Sequence, residues 1–188
     1  MAACVGAAQI GLEVPVTQRV LVAYASKRGS TREVADAVAA TLREHGCEVD
    51  LEPAAKVKDA EAYDGVVLGG ALYRGGWHRG ARRFLRRHRR RLARVPTAVL
   101  ALGPRRDGAE AFERSRRQLE RALAKVPDVE PVATAVFGGV DRERGIDFRD
   151  WDAIRTWAES FGARLEDQPS ANVTFTTAVT SFRNVDVS

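Results

Sequence analysis

Three hydroxyl side chains stand around one glycine in "ASKRGST": Ser26, Ser30 and Thr31 flank Gly29, with Lys27 and Arg28 between them. The apolar run "RVLVAY" comes before this loop, and Val34, Ala35, Val38 and Leu42 after it form a single stripe at helical spacing. A loop that opens a helix in this way presents amide N–H groups without carbonyl partners at the positive end of the helix dipole, a setting that suits an anion. Gly29 permits a turn that a side chain would obstruct, and the hydroxyls add donors. Phosphate is the natural candidate. The same residues have an alternative use as a helix cap, with Ser30 and Glu33 forming a capping box. Neither the P-loop pattern nor the dinucleotide fingerprint follows this or any other strand, so a nucleoside triphosphate and a dinucleotide are not expected. A phosphomonoester dianion held by uncharged donors, with no obligatory arginine or lysine, remains.

The elements that would carry this loop alternate along the chain. "CEVDLEP", "YDGVVLGGAL", "PTAVLALGP" and "PVATAVFGG" read as four further strands, and helices are expected at roughly 77–93, 108–125 and 149–165 in addition to the first. Repeats of about 30 residues with buried strands imply parallel pairing, right-handed crossovers and helices on both faces, an α/β doubly wound sheet. In such a sheet a ligand sits at the carboxyl ends of the strands, where the strand order reverses. One domain is expected over 18–166, with flexible tails at 1–17 and 167–188. Within the second tail, "NVTFTTAV" could instead add an edge strand or a partner contact.

Composition narrows the class. The 188 residues suffice for a buried core without disulfides, and two cysteines, Cys4 and Cys47, form no CxxC pair. The first residues lack a basic region and carry Glu13, unlike a signal peptide, and no segment approaches the length of a membrane span, so a cytoplasmic protein is expected. The net charge is +5, and all but four of the 30 basic residues are arginine.

"S-K-R-G-S-T" after a first strand resembles the FMN phosphate loop of the flavodoxin-like family, and the likeness runs from about residue 19 to 165. "VVLGGALYRGGWHRGARRFLRRH" and "FRDWDAIRTWAESF" are similar to the third-strand segment and final helix of the menaquinone-dependent protoporphyrinogen oxidases within it. The resemblance implies a flavodoxin-like three-layer α/β/α sandwich, strand order 2-1-3-4-5, with FMN at the ends of the first, third and fourth strands. It assigns the phosphate to Ser26, Lys27, Arg28, Gly29, Ser30 and Thr31. The ring would border Gly70, Ala71, Leu72, Tyr73, Gly75 and Trp77 on one side and Gly103 and Pro104 on the other. Tyr73 and Trp77 offer stacking surfaces, or else anchor the loop as half-buried aromatics. His78 is the one candidate proton donor, against the commoner structural role of a lone histidine; no metal is expected.

Arg74, His78, Arg79, Arg105 and Arg106 would then surround the flavin with Asp107 as the nearby counter-charge, favouring an anionic reduced flavin that accepts electrons from an organic substrate. Nine arginines crowd Arg79–Arg94, while Ala81, Phe84, Leu85, His88 and Leu92 form an apolar stripe. That basic face could be merely solvated, could meet an anionic membrane where a quinone resides, or could bind nucleic acid, for which no reading motif is present. The segment 138–147 is too short for the long basic and aromatic insertion of the oxidases. Two functions are therefore carried forward: an FMN oxidoreductase, with protoporphyrinogen as donor and menaquinone as acceptor, and a non-catalytic FMN carrier that docks a redox partner.

Overall fold

The computed structural model describes residues 17–73 and 76–167. Its elements are β1 (Arg19–Ala25), α1 (Ser30–Glu44), β2 (Glu48–Pro53), β3 (Gly65–Tyr73), β4 (Gly76–Trp77), α2 (Arg79–Leu92), β5 (Thr97–Leu102), α3 (Ala109–Leu123), β6 (Ala133–Phe137), β7 (Val140–Asp141), β8 (Ile146–Asp147) and α4 (Trp151–Glu166). The sheet runs β2-β1-β3-β5-β6, all parallel along that path, which is the expected order once the short β4 is set aside as an antiparallel ribbon on the end of β3. Both tails, including "NVTFTTAV", lie outside the described residues, as do Arg74 and Gly75.

Strand pleat divides the core into two layers. Val20, Val22 and Val67 point to the face covered by Val34, Val38 and Leu42 of α1 and by Ile154, Phe161 and Leu165 of α4. Leu21, Val66 and Leu68 point the other way, onto Phe84 and Leu85 of α2 and Leu119 of α3. The stripe expected on the arginine-rich helix is buried in full, from Ala81 through Phe84, Leu85 and His88 to Leu92. Strands covered on both faces need continuous apolar runs, which explains why these are readable in the sequence.

Trp77 is where the structure departs from expectation. The β4 ribbon turns its indole inward, to 2% exposure, and Nε1–H donates to the Gly70 carbonyl at 3.0 Å. Its face is taken up by the core, so it offers no stacking surface. Gly70 is correspondingly a packing glycine, because a Cβ there would lie 2.5 Å from Trp77 Nε1 and 2.8 Å from Cε2. Ala71 is buried beside it in the strand. The substitution Gly70→Ala is expected to overpack this contact and cost about 1–3 kcal/mol, read from a urea unfolding midpoint, with native helix content by circular dichroism.

Candidate functional site

Parallel pairing sets Ala25 opposite Gly70 and Ala71 opposite Leu102, so the carboxyl ends of β1, β3 and β5 lie at one end of the sheet. Ser26–Gly29 forms the first loop. Gly29 is the N-cap of α1 with φ 91°, a left-handed turn that favours glycine, and no side chain caps the helix. The capping box is therefore not formed. The Gly29 amide donates to Ser26 Oγ at 3.0 Å, and the first helical bonds run from the Arg32 and Glu33 amides to the Gly29 carbonyl. The Ser30 and Thr31 amides precede those bonds, as the free N–H groups of a helix start. Thr31 is fully buried, and its Oγ1 has no hydrogen-bond partner. A buried hydroxyl left unsatisfied in a loop of free amides suits a ligand acceptor better than a finished structural element.

Lys27 reaches over the Tyr73 ring at 5.5 Å, linking this loop to the end of β3. Tyr73 and Leu72 line a cavity of about 610 Å³ together with Gly103, Pro104, Arg105 and Arg106. Arg114 of α3 and Arg144 beyond β7 complete the rim with Asp141 and Glu143. Arg114 pairs with Glu110 at 2.7 Å and Arg144 approaches Asp141 at 4.0 Å, whereas Arg105 and Arg106 have no ion-pair partner among the described residues. Of the cations expected here, Arg105 and Arg106 line the cavity, Arg79 is exposed and does not, and Arg74 lies outside the described residues; Arg114 and Arg144 join them. Arg114 and Arg144 carry no local signal; only the packing of α3 and of the 138–149 segment brings them here.

His78 caps α2, its Nδ1 accepting from the Gly80 amide at 2.9 Å. The remaining hydrogen therefore sits on Nε2, which is buried without a partner. Burial, followed by the charges of Lys27 and Arg82, pushes its pKa below the ordinary 6.5. A neutral donor near Tyr73, 5.9 Å between ring centroids, is thus held close to the cavity wall without lining the cavity.

A family model described as "Flavodoxin domain" matches residues 21–161. The chain belongs to that family. FMN is accordingly its cofactor, and the residues present fit it: a hydroxyl and amide cradle with an unsatisfied Thr31, beside a cavity of a size usual for cofactor sites. Among curated proteins, the flavodoxin domain is 22% identical to protoporphyrinogen IX dehydrogenase (quinone) of Escherichia coli K12, over 81% of this chain and 98% of that protein. Solved neighbours include a cysteine-to-serine mutant of flavodoxin from Pseudomonas aeruginosa, at TM-score 0.57 and 19% identity, covering 79% of this chain and 99% of the other. The flavodoxin of Streptococcus pneumoniae TIGR4 aligns at TM-score 0.52 and 21% identity over 79% and 98%. Among the described residues no helix is long and apolar enough to cross a membrane, and no acidic, His or Cys cluster could hold a metal ion.

A histidine kept neutral in the fold gives a signed pH dependence. Below pH 6.5 the unfolded chain takes up a proton that folded His78 resists, so stability is full above 6.5 and falls as pH drops toward the depressed folded pKa. His88, also depressed by burial first, acts in the same direction. The substitution His78→Asn keeps a cap acceptor and removes one titration. It is expected to flatten the loss of unfolding free energy between about pH 7.5 and 5.5, by at most about 1.4 kcal/mol per pH unit, measured by urea titration.

Proposed function

We propose that this flavodoxin domain is an FMN oxidoreductase that takes electrons and protons from a carboxylate-bearing organic substrate and passes them to a quinone. Protoporphyrinogen IX and menaquinone are the candidate pair, which would place the protein in heme biosynthesis in the cytoplasm. The FMN phosphate is assigned to Ser26–Thr31, and the ring to the cavity between Tyr73 and Pro104. The observation that carries this reading is that cavity, with Arg105 and Arg106 on its wall and no carboxylate among the described residues paired to either. Bound FMN supplies a two-electron acceptor. The side chains need only bind and orient: guanidiniums attract a polycarboxylate, and their charge favours an anionic reduced cofactor. The relative from Escherichia coli, matched over nearly its whole length, supports the substrate and acceptor.

A second reading is favoured by one observation. Residues 138–149 form a tight β7–β8 hairpin in place of a long insertion, which is compatible with a non-catalytic FMN carrier. The two readings separate in a redox titration with a protoporphyrinogen assay in the presence of menaquinone. The oxidoreductase reading expects a high two-electron couple and turnover; separated low one-electron couples without turnover would establish the carrier. For the phosphate seat, Ser26→Ala combined with Thr31→Val is expected to weaken FMN binding about 100-fold, roughly two hydrogen bonds to a charged group, by flavin fluorescence titration.

The acceptor's location bears on α2. Arg79, Arg83, Arg86, Arg90 and, just beyond the helix, Arg94 are exposed without a carboxylate partner among the described residues, and Arg89 alone of the group approaches one, Asp128 at 3.7 Å. This face is assigned to an anionic membrane surface, where each cation contributes about 1 kcal/mol. Charge reversal at Arg86, Arg87 and Arg90 is expected to abolish flotation with anionic liposomes. Binding to neutral liposomes alone would count against the assignment.

A further inference from the structure

We propose that the β7–β8 hairpin is the clamp of the phosphate loop, with Arg142 and Arg149 as positioning residues for the FMN phosphate. The inference rests on the assignment of that phosphate to Ser26–Thr31. Asp141 Oδ1 accepts from the Glu143 and Arg144 amides at 3.1 and 3.3 Å, closing the hairpin turn and presenting Arg142 beside the loop. Arg142 Nη2 donates to the Arg28 carbonyl at 2.7 Å and lies 3.9 Å from the point a Cβ on Gly29 would occupy. A guanidinium therefore stands over the glycine at the centre of the cradle.

Arg149 works one step back. Its side chain is only 7% exposed, with Nη1 2.6 Å from Glu33 Oε2 and 3.5 Å from the Ser30 carbonyl. Its Nη2 and Nε bind Asp147 at 2.6 and 2.9 Å, and the guanidinium stacks 4.5 Å from the Trp151 ring. Glu33 Oε1 approaches the same Gly29 point at 4.0 Å. Left unpaired, that carboxylate would repel a phosphate dianion across a few ångströms. Arg149 pairs with it at 2.6 Å, so it does not face the phosphate alone; Asp147 shares the same guanidinium, and the three groups together keep a net charge of −1. The loop is thus fixed by a hairpin 114 residues away in sequence, and its acidic first turn is made compatible with an anion.

The test uses the full-length chain freed of flavin and titrated with FMN and with riboflavin, which shares the ring and lacks the phosphate. Arg142→Ala, at an exposed position, is expected to weaken FMN about 10-fold and riboflavin less than about 2-fold, the 10-fold loss corresponding to about 1.4 kcal/mol. Arg149→Met is expected to weaken FMN by at least as much, and Glu33→Gln in the same chain to restore most of the loss. Urea midpoints identify any variant that fails to fold, and Arg142→Ala tests the clamp even if Arg149→Met does not fold. Unchanged FMN affinity in Arg142→Ala, equal losses for FMN and riboflavin, or no rescue by Glu33→Gln in a folded Arg149→Met chain overturns the clamp. If Ser26→Ala with Thr31→Val weakens FMN while Arg142→Ala does not, the clamp alone fails. If both leave FMN unchanged, the phosphate lies elsewhere and the underlying assignment fails with it.

Discussion

Parallel hydrogen bonding of β3 to β1 on one side and β5 on the other is the constraint on which the rest of the molecule depends. It brings the carboxyl ends of the three strands into register, so that a glycine turn after β1, Tyr73 at the end of β3 and a proline loop after β5 lie at one end of the sheet. Strand order reverses at β1, since β2 lies to one side of it and β3 to the other, and the opening sits beside that reversal. The two-layer core makes that arrangement rigid. Each central strand contributes side chains to both faces, so a shift of one residue in register would turn each set against the wrong helices.

The two halves of the opening differ electrostatically for a physical reason. A phosphate dianion can be held by amides and hydroxyls because the helix start supplies aligned dipoles. The cavity between Tyr73 and Pro104 has no such array among its lining residues. Guanidiniums take its place there, two of them without counter-ions among the described residues. Fixed positive charge stands at both places, from Lys27, Arg28 and Arg142 beside the helix start and from Arg105, Arg106, Arg114 and Arg144 around the cavity.

What the sequence discloses follows from how local each signal is. The strand runs, the helix stripes and the hydroxyl loop are all set by neighbours within a few residues, and each is legible in the order of residues alone. Trp77 is not, because its direction depends on a two-residue ribbon folding back on β3, and an aromatic near a loop reads the same whether it faces in or out. Ser30 with Glu33 carries the letters of a capping box. The box does not form because the helix starts one residue earlier, with Gly29 as its N-cap, and Glu33 pairs instead with Arg149, a contact that spans 116 residues. Arg142 on Arg28 spans 114. No periodicity or motif encodes such pairs, and they emerge only when α4 packs beside α1.

The same hairpin bears on the reaction. Where the resemblance leads one to expect a long insertion, this chain places a short turn whose sides face different ways: Arg142 meets the phosphate loop, while Asp141, Glu143 and Arg144 line the cavity. One segment thus contacts both the cofactor's anchor and the space where a substrate would approach. A long insertion could gain substrate area by covering the ring, but a ribbon of two-residue strands cannot. On the oxidoreductase reading, recognition would draw on the charge already on the rim, from Arg105, Arg106, Arg114 and Arg144, rather than on apolar enclosure. Such a rim would select by the number and spacing of carboxylates, because guanidiniums engage them in a fixed fork geometry while each exposed pair alone is weak.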